Sequence, residues 1–152
     1  MLNNKFLKII PTWFVILILC GMTHAAQAAG GTLVVIVHAS NPVSALSPAE
    51  VKTYFMKTRT AWASGEKVRP VDQKSGTDRD KFLSDVLKVT DEELVRVWLG
   101  KQYATSEAPP LKVAGDEAAI KFVSTFKGGI GFIGKASLAA SKDIKSVLEI
   151  DY

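Results

Sequence analysis

Apolar residues fall along this chain in one leader-like run and then in short blocks that alternate between strand and helix periods. The first run, Ile9 to Cys20, is broken only by Pro11 and Thr12. It is short of the roughly 20 apolar residues that span a bilayer comfortably. Lys5 and Lys8 precede it, and small and polar residues follow it down to Ala26-Gln27-Ala28, the small-x-small pattern at which a signal peptidase cuts. The pattern predicts a cleaved signal peptide over residues 1–28 and a mature domain over 29–152.

Thr32 to His38 (TLVVIVH) is a continuous β-branched run of strand length, as expected for a strand buried on both faces. Asn41-Pro42 marks a turn, and Ser47-Pro48-Ala49-Glu50 combines an N-cap serine, a proline at the first helical position and a glutamate at the third. The helix it starts carries Val51, Tyr54 and Phe55 on one face. Thr60 to Lys67, holding Trp62 and Gly65, reads as a loop. Val68 to Asp72 reads as a short strand whose Pro70 suits an edge or a strand end.

From Asp78 to Lys88 the apolar residues Phe82, Val86 and Leu87 recur at helical spacing. Thr90-Asp91-Glu92-Glu93 is a second capping box, and it starts a helix with Leu94, Val97 and Trp98 as its apolar face. Leu111 to Val113 is a candidate strand, Asp116 to Phe126 a helix closed by Gly128, and Ile130 to Ile133 and Ser146 to Ile150 the last strands. Strands and helices alternate throughout, which predicts an α/β domain with a mixed sheet flanked by helices.

The chain has 19 Lys and Arg against 15 Asp and Glu, and without Lys5 and Lys8 the balance falls to +2. The charges are interspersed, with no basic arm or stripe, so nucleic acid is not an expected partner. Cys20 is the only cysteine, and Leu19 before it departs from the small residue that a lipoprotein signal wants there. Lipid anchoring through Cys20 is therefore not expected, and the domain has to stand on its hydrophobic core without disulfides, in the periplasm or secreted.

The most informative polar string is Lys74-Ser75-Gly76-Thr77-Asp78-Arg79, between a strand and a helix. The first amides of a helix lack intrahelical acceptors and carry partial positive charge. Ser75 and Thr77 can add hydroxyl donors, Gly76 opens the backbone, and Lys74 or Arg79 can supply charge, so the string can hold a tetrahedral oxyanion. The competing reading makes Ser75 the cap of its own helix, with Asp78 completing a capping box.

Gly129-Ile130-Gly131-Phe132-Ile133-Gly134 matches the dinucleotide fingerprint G-x-G-x-x-G, but its apolar residues are themselves the strand, so no nucleotide cofactor is expected. His38, the one histidine after the leader, has no second histidine or cysteine with which to share a metal. Ser40 lies near His38 but lacks a nucleophile-elbow sequence and a marked acid, so no catalytic residue is assigned. Trp62 and Trp98 read as core or loop anchors.

Taken together, these segments resemble the periplasmic phosphate-binding proteins of ABC transporters, in particular the short, single-lobe members of that superfamily. The resemblance is carried by Val34 to Val37 with Asn41-Pro42-Val43, by Leu46 to Val51 leading to Tyr54-Phe55, and by Trp62 with Gly65. Val71-Asp72, Ser75-Gly76-Thr77, Phe82 and Gly128 to Phe132 complete it. It implies one lobe of a type II periplasmic-binding-protein-like fold, with Ser75, Gly76 and Thr77 as part of a phosphate site.

Two departures go with it. The arginine and aspartate that full-length members place four and two residues before the serine are Val71 and Gln73 here, and the chain has room for one lobe where full-length members close two lobes around phosphate. The resemblance and its departures leave two functions open. One is an extracytoplasmic binding protein for phosphate or a related oxyanion, weak alone and completed by a dimer or by an ABC transporter permease or other envelope partner. The other is a lobe reused as a ligand-free interaction module.

Overall fold

The computed structural model describes residues 30–152; the predicted leader, with its Ala26-Gln27-Ala28 site and Cys20, lies outside the described residues. At the centre is β1 (Thr32–His38), in which Leu33 to Val37 are fully buried. It is flanked on both sides by antiparallel strands, β4 (Gly129–Gly134) and β5 (Ile144–Asp151), so its unbroken apolar run faces protein in every direction. β2 (Arg69–Gln73) pairs parallel to β4 and to β3 (Leu111–Val113), giving a mixed sheet in the order β3-β2-β4-β1-β5.

The pleat divides the core in two. Leu33, Val35, Val37, Ile130 and Phe132 pack with residues of α1 (Pro48–Phe55), of the segment Phe82–Leu87 that continues α2 (Thr77–Lys81), and of α3 (Asp91–Thr105). Phe82 stacks on Phe132 with ring centroids 4.1 Å apart, and Phe55 lies 4.6 Å from Phe82. On the other face Val34, Ile36, Val71 and Ile133 pack against Ala119, Ile120 and Val123 of α4 (Gly115–Thr125). The first two glycines of the G-x-G-x-x-G string, Gly129 and Gly131, belong to this strand-on-helix contact. A Cβ at Gly129 would lie 2.9 Å from the Val123 Cα, and one at Gly131 would lie 2.7 Å from Val71 Cγ1.

Both predicted capping boxes form. Ser47 Oγ accepts from the Glu50 amide while Glu50 Oε2 accepts from the Ser47 amide, and Thr90 and Glu93 do the same. Val51, Tyr54 and Phe55 are buried as expected. Pro70 lies in an interior strand but near its start. The Arg69 amide donates to the Gly128 carbonyl at 2.9 Å on the β4 side, so the Pro70 nitrogen faces the β3 side, where pairing begins only at Val71.

Several expectations need correction. The helix over Asp78 to Lys88 begins at Thr77, and its second half, Phe82–Leu87, is π-helical, ending at Lys88 with φ 55°. The wider turn draws Phe82, Leu83, Val86 and Leu87 towards one face, and all four are buried. Val97 is 40% exposed while Leu94 and Trp98 are buried, because α3 covers the core with only a narrow stripe. Gly128 is not a left-handed helix stop. It is needed for a close approach, since a Cβ there would lie 1.9 Å from the Lys67 carbonyl oxygen. The last strand is longer than Ser146 to Ile150 and carries a bulge opposite Val35/Ile36, which helps blunt this edge strand against pairing with other chains. A 3₁₀ segment, Lys135–Ala140, joins β4 to β5.

Candidate functional site

β2, β3 and β4 run parallel to one another and therefore end at the same edge of the sheet. In open α/β sheets ligands bind in the crevice outside such carboxyl ends. The string Lys74-Ser75-Gly76-Thr77 leaves β2 at this edge and turns into α2. The Lys74 amide donates to the Val113 carbonyl at 2.9 Å, which ties the start of the turn to the end of β3.

Gly76, not Ser75, is the N-cap of α2, with φ 124° and ψ 161°, and no side chain caps this terminus. Only glycine takes that backbone conformation readily. A Cβ there would meet nothing within 4 Å, so the space over the turn is open. This corrects the capping alternative: Ser75 does not cap the helix, and Asp78 closes no box. Lys74, Ser75, Gly76 and Thr77 are all exposed. The structure thus brings two hydroxyl-bearing residues, a lysine and an uncapped helix start together at one solvent-facing turn.

Arg79 is not part of that grouping. It is 4% exposed and turns inward, with Nε 3.3 Å from Asp72 Oδ1 and Nη2 3.3 Å from Asp72 Oδ2, while Nη2 also donates to Asp91 Oδ1. Burial pushes the Asp72 carboxyl above its ordinary range despite the Arg79 charge beside it. The hydrogen bond from Arg79 holds Asp91 below its ordinary range. Burial pulls Arg79 down, but its bond to Asp91 and the Asp72 charge outweigh this and leave it raised. Two carboxylates therefore claim this guanidinium, and Lys74 is the predicted cation that remains at the turn.

The positions before the serine are occupied differently from the family pattern. Val71 is buried against α4. Gln73 Nε2 donates to Asp116 Oδ1 at 2.8 Å and to the Phe132 carbonyl at 2.9 Å, so both its amide protons are used internally. Asp116 was not singled out by the sequence, yet it organises the neighbouring corner: its Oδ2 accepts from the Gly134 amide at 3.1 Å and from Ser137 Oγ at 2.7 Å. Its one sequence signal is a glycine followed closely by an aspartate at a strand-to-helix junction, as in Gly76-Thr77-Asp78.

Asp78, on the first turn of α2, accepts from the Tyr152 hydroxyl at 2.6 Å, joining the end of the chain to the helix of the turn. That hydrogen bond, with burial and the negative charges of Asp78 and Asp116, raises the Tyr152 phenol to about 12. A folded-state value above the unfolded one means stability that is present below the unfolded value and lost as pH rises through the folded one. Spectrophotometric titration should therefore resolve one phenol near pH 12 that disappears in Tyr152→Phe. A Tyr152 that titrates with an ordinary phenol's value would show that the Asp78 contact does not persist in solution.

His38 Nδ1 lies 2.8 Å from Ser40 Oγ and accepts from the Ser40 amide at 3.1 Å, an exposed contact between residues two apart. Trp62 and Trp98 are both buried, as anchors are. Among the described residues no group of three or more His, Cys, Asp or Glu is placed to hold a metal ion, and no helix is long and apolar enough to cross a membrane.

No family model matches the chain, and no curated protein matches it. Solved structures do share its fold. A Clostridium perfringens protein described as a phosphate ABC transporter substrate-binding protein, solved with bound phosphate, superposes with a TM-score of 0.61 at 19% identity, over 78% of this chain and 44% of its own. An ABC-type phosphate transport receptor from Vibrio cholerae gives 0.60 at 21% identity, over 78% and 46%. PstS from Borrelia burgdorferi gives 0.58 at 15%, over 78% and 47%. The chain thus has the α/β fold of these substrate-binding proteins and spans less than half of their length.

Proposed function

We propose that this protein is an extracytoplasmic binding protein for phosphate or a related oxyanion, with Ser75, Gly76, Thr77 and Lys74 as its half-site. The observation that carries the reading is the uncapped start of α2. Gly76 leaves the first amides without a side-chain acceptor, in open space, at the carboxyl edge of the sheet. An oxyanion placed there accepts from those amides and from the two hydroxyls, with Lys74 alongside. With Arg79 committed elsewhere and Asp78 adding negative charge to the same turn, the isolated chain binds weakly. A dimer, or an ABC transporter permease or other envelope partner, completes the site.

Calorimetric titration of the purified protein with phosphate at low salt tests this. The expected affinity is micromolar to millimolar, about 4 to 8 kcal/mol. Thr77→Val, which removes one hydroxyl at nearly constant volume, is expected to weaken it by about 1 to 3 kcal/mol. Because Ser75 does not cap the helix, Ser75→Ala should reduce phosphate binding while leaving the melting temperature unchanged. Absence of both heat and melting shift with tens of millimolar phosphate or sulfate would sink the proposal.

The second reading, a lobe reused as a ligand-free interaction module, is favoured by one feature. α3 leaves Val95, Val97, Leu99 and Tyr103 exposed. Such a surface suits a protein partner, and this reading takes over if the phosphate titration is silent.

A further inference from the structure

The oxyanion turn lies where β2, β3 and β4 end. Near the opposite edge, where β2 and β3 begin, is a groove of about 280 Å³ lined by Lys57, Lys67 and Arg69. These three cations are its only polar side chains, and among the described residues none of them has a carboxylate within ion-pair distance. Two are held in place. Lys57 Nζ donates to the Ala108 carbonyl at 2.7 Å, and the Arg69 guanidinium stands 4.6 Å from the centroid of the Phe126 ring.

The backbone adds little to these donors. Pro70, Pro109 and Pro110 line the groove and have no N–H, and the Lys57, Val68 and Arg69 amides are spent on the carbonyls of Tyr54, Thr60 and Gly128. A neutral occupant would leave three like charges facing one another, whereas carboxylates accept from them and offset their repulsion.

The surroundings decide what carries the carboxylates. β3 is an end strand of the sheet, with no strand on its outer side, and its first residue, Leu111, lines the groove more than half exposed. Pro109 and Pro110 also border an apolar trough beside α3, where Val95 and Leu99 are about half exposed. Cations and exposed apolar side chains therefore meet at the two prolines. A single tetrahedral anion reaches only the cations, and a flat anionic bilayer does not enter a recess. An extended chain points successive side chains to opposite sides, so one with alternating acidic and apolar residues meets both surfaces at once, and it can lie along the open edge of β3.

We propose that this groove and the trough beside it form a docking surface for an extended segment of a partner protein in which acidic and apolar residues alternate. The surface is independent of the oxyanion turn. Its carboxylates accept from Lys57, Lys67 and Arg69, and its apolar side chains cover Leu111, Val95 and Leu99.

The probe is a fluorescent synthetic decapeptide of alternating glutamate and leucine, titrated with the full mature protein at low salt. Its anisotropy is expected to rise saturably below about 1 mM protein and to weaken as salt approaches about 0.15 M. Arg69→Gln and Lys67→Gln, both at exposed positions, should each weaken binding about tenfold while keeping the wild-type melt. Lys121→Gln, which removes an exposed lysine of α4 outside the groove, should change it less than twofold. The proposal is overturned if no saturable binding appears, if the same peptide with glutamine for glutamate binds as well, or if Lys121→Gln weakens binding as much as Arg69→Gln. It also falls if free glutarate binds as tightly as the peptide, which would make the groove a small-anion site, or if phosphatidylglycerol vesicles capture wild type but not Arg69→Gln. Should Arg69→Gln not fold, Lys67→Gln decides in its place.

Discussion

Ile36→Asp is expected to abolish folding. Ile36 is fully buried in the central strand and packs among Val34, Val71, Ile120 and Val123 between the sheet and α4. Losing an aliphatic side chain of this size from a core already costs about 2 to 5 kcal/mol. The carboxylate then either stays charged in an apolar setting or takes up a proton, and both routes add several kcal/mol. The sum approaches or exceeds the about 5 to 15 kcal/mol that a domain of this kind has in total. Soluble yield and far-ultraviolet circular dichroism read the outcome, with Ile36→Val, expected to cost about 0.5 to 1.5 kcal/mol, as the control. A soluble Ile36→Asp protein with a cooperative melt would mean that β1 is not the buried centre of the sheet.

The features that the sequence declares openly are those whose causes are local. A β-branched run with no polar interruption can only be a buried strand, and a hydroxyl three residues before a glutamate closes a capping box within one turn of chain. Both boxes and β1 are set by fewer than ten consecutive residues each. The oxyanion string is local in the same sense, but its cap sits one residue from where the hydroxyl suggests, because the backbone at Gly76 adopts a φ of 124° that serine would resist.

What could not be read depends on contacts between distant segments. Asp116 draws its partners from Gln73, Gly134 and Ser137, on three different elements, so no short pattern announces it. Gly128 looks like a helix stop, yet it exists to let Lys67 pass, more than fifty positions away. Arg79 is the intermediate case. It stands three residues before Phe82, four before Leu83 and seven before Val86, the spacing of one helix face, so the periodicity that placed those side chains in the core also turned Arg79 inward. A cation on the apolar stripe of a helix calls for carboxylate partners, and the buried Asp72 and the half-exposed Asp91 supply them.

That inward turn gives the sharpest test of how the charges around the oxyanion turn are divided. Arg79→Met is expected to destabilise the protein by about 3 to 5 kcal/mol, because it strands the Asp72 carboxylate in the core without its partner. The loss should shrink on acidification. Without Arg79 the Asp72 pKa in the folded state rises further above its unfolded value. The folded variant therefore binds more protons than its unfolded chain, and its stability falls as pH rises between the two values. In the wild type, Asp91 is held low by Arg79 and contributes stability above its ordinary range that is lost as pH falls. Both effects bring the two proteins together as pH drops from neutrality to about 4. Asp72→Leu combined with Arg79→Met replaces the buried pair with apolar side chains and should recover most of the stability, as such replacements often do. Denaturant unfolding across this pH range measures all of it, with phosphate titration of each variant alongside. If Arg79 instead served the oxyanion, Arg79→Met would erase phosphate binding while barely moving the unfolding midpoint, and the assignment of Lys74 as the cation at the turn would fall with it.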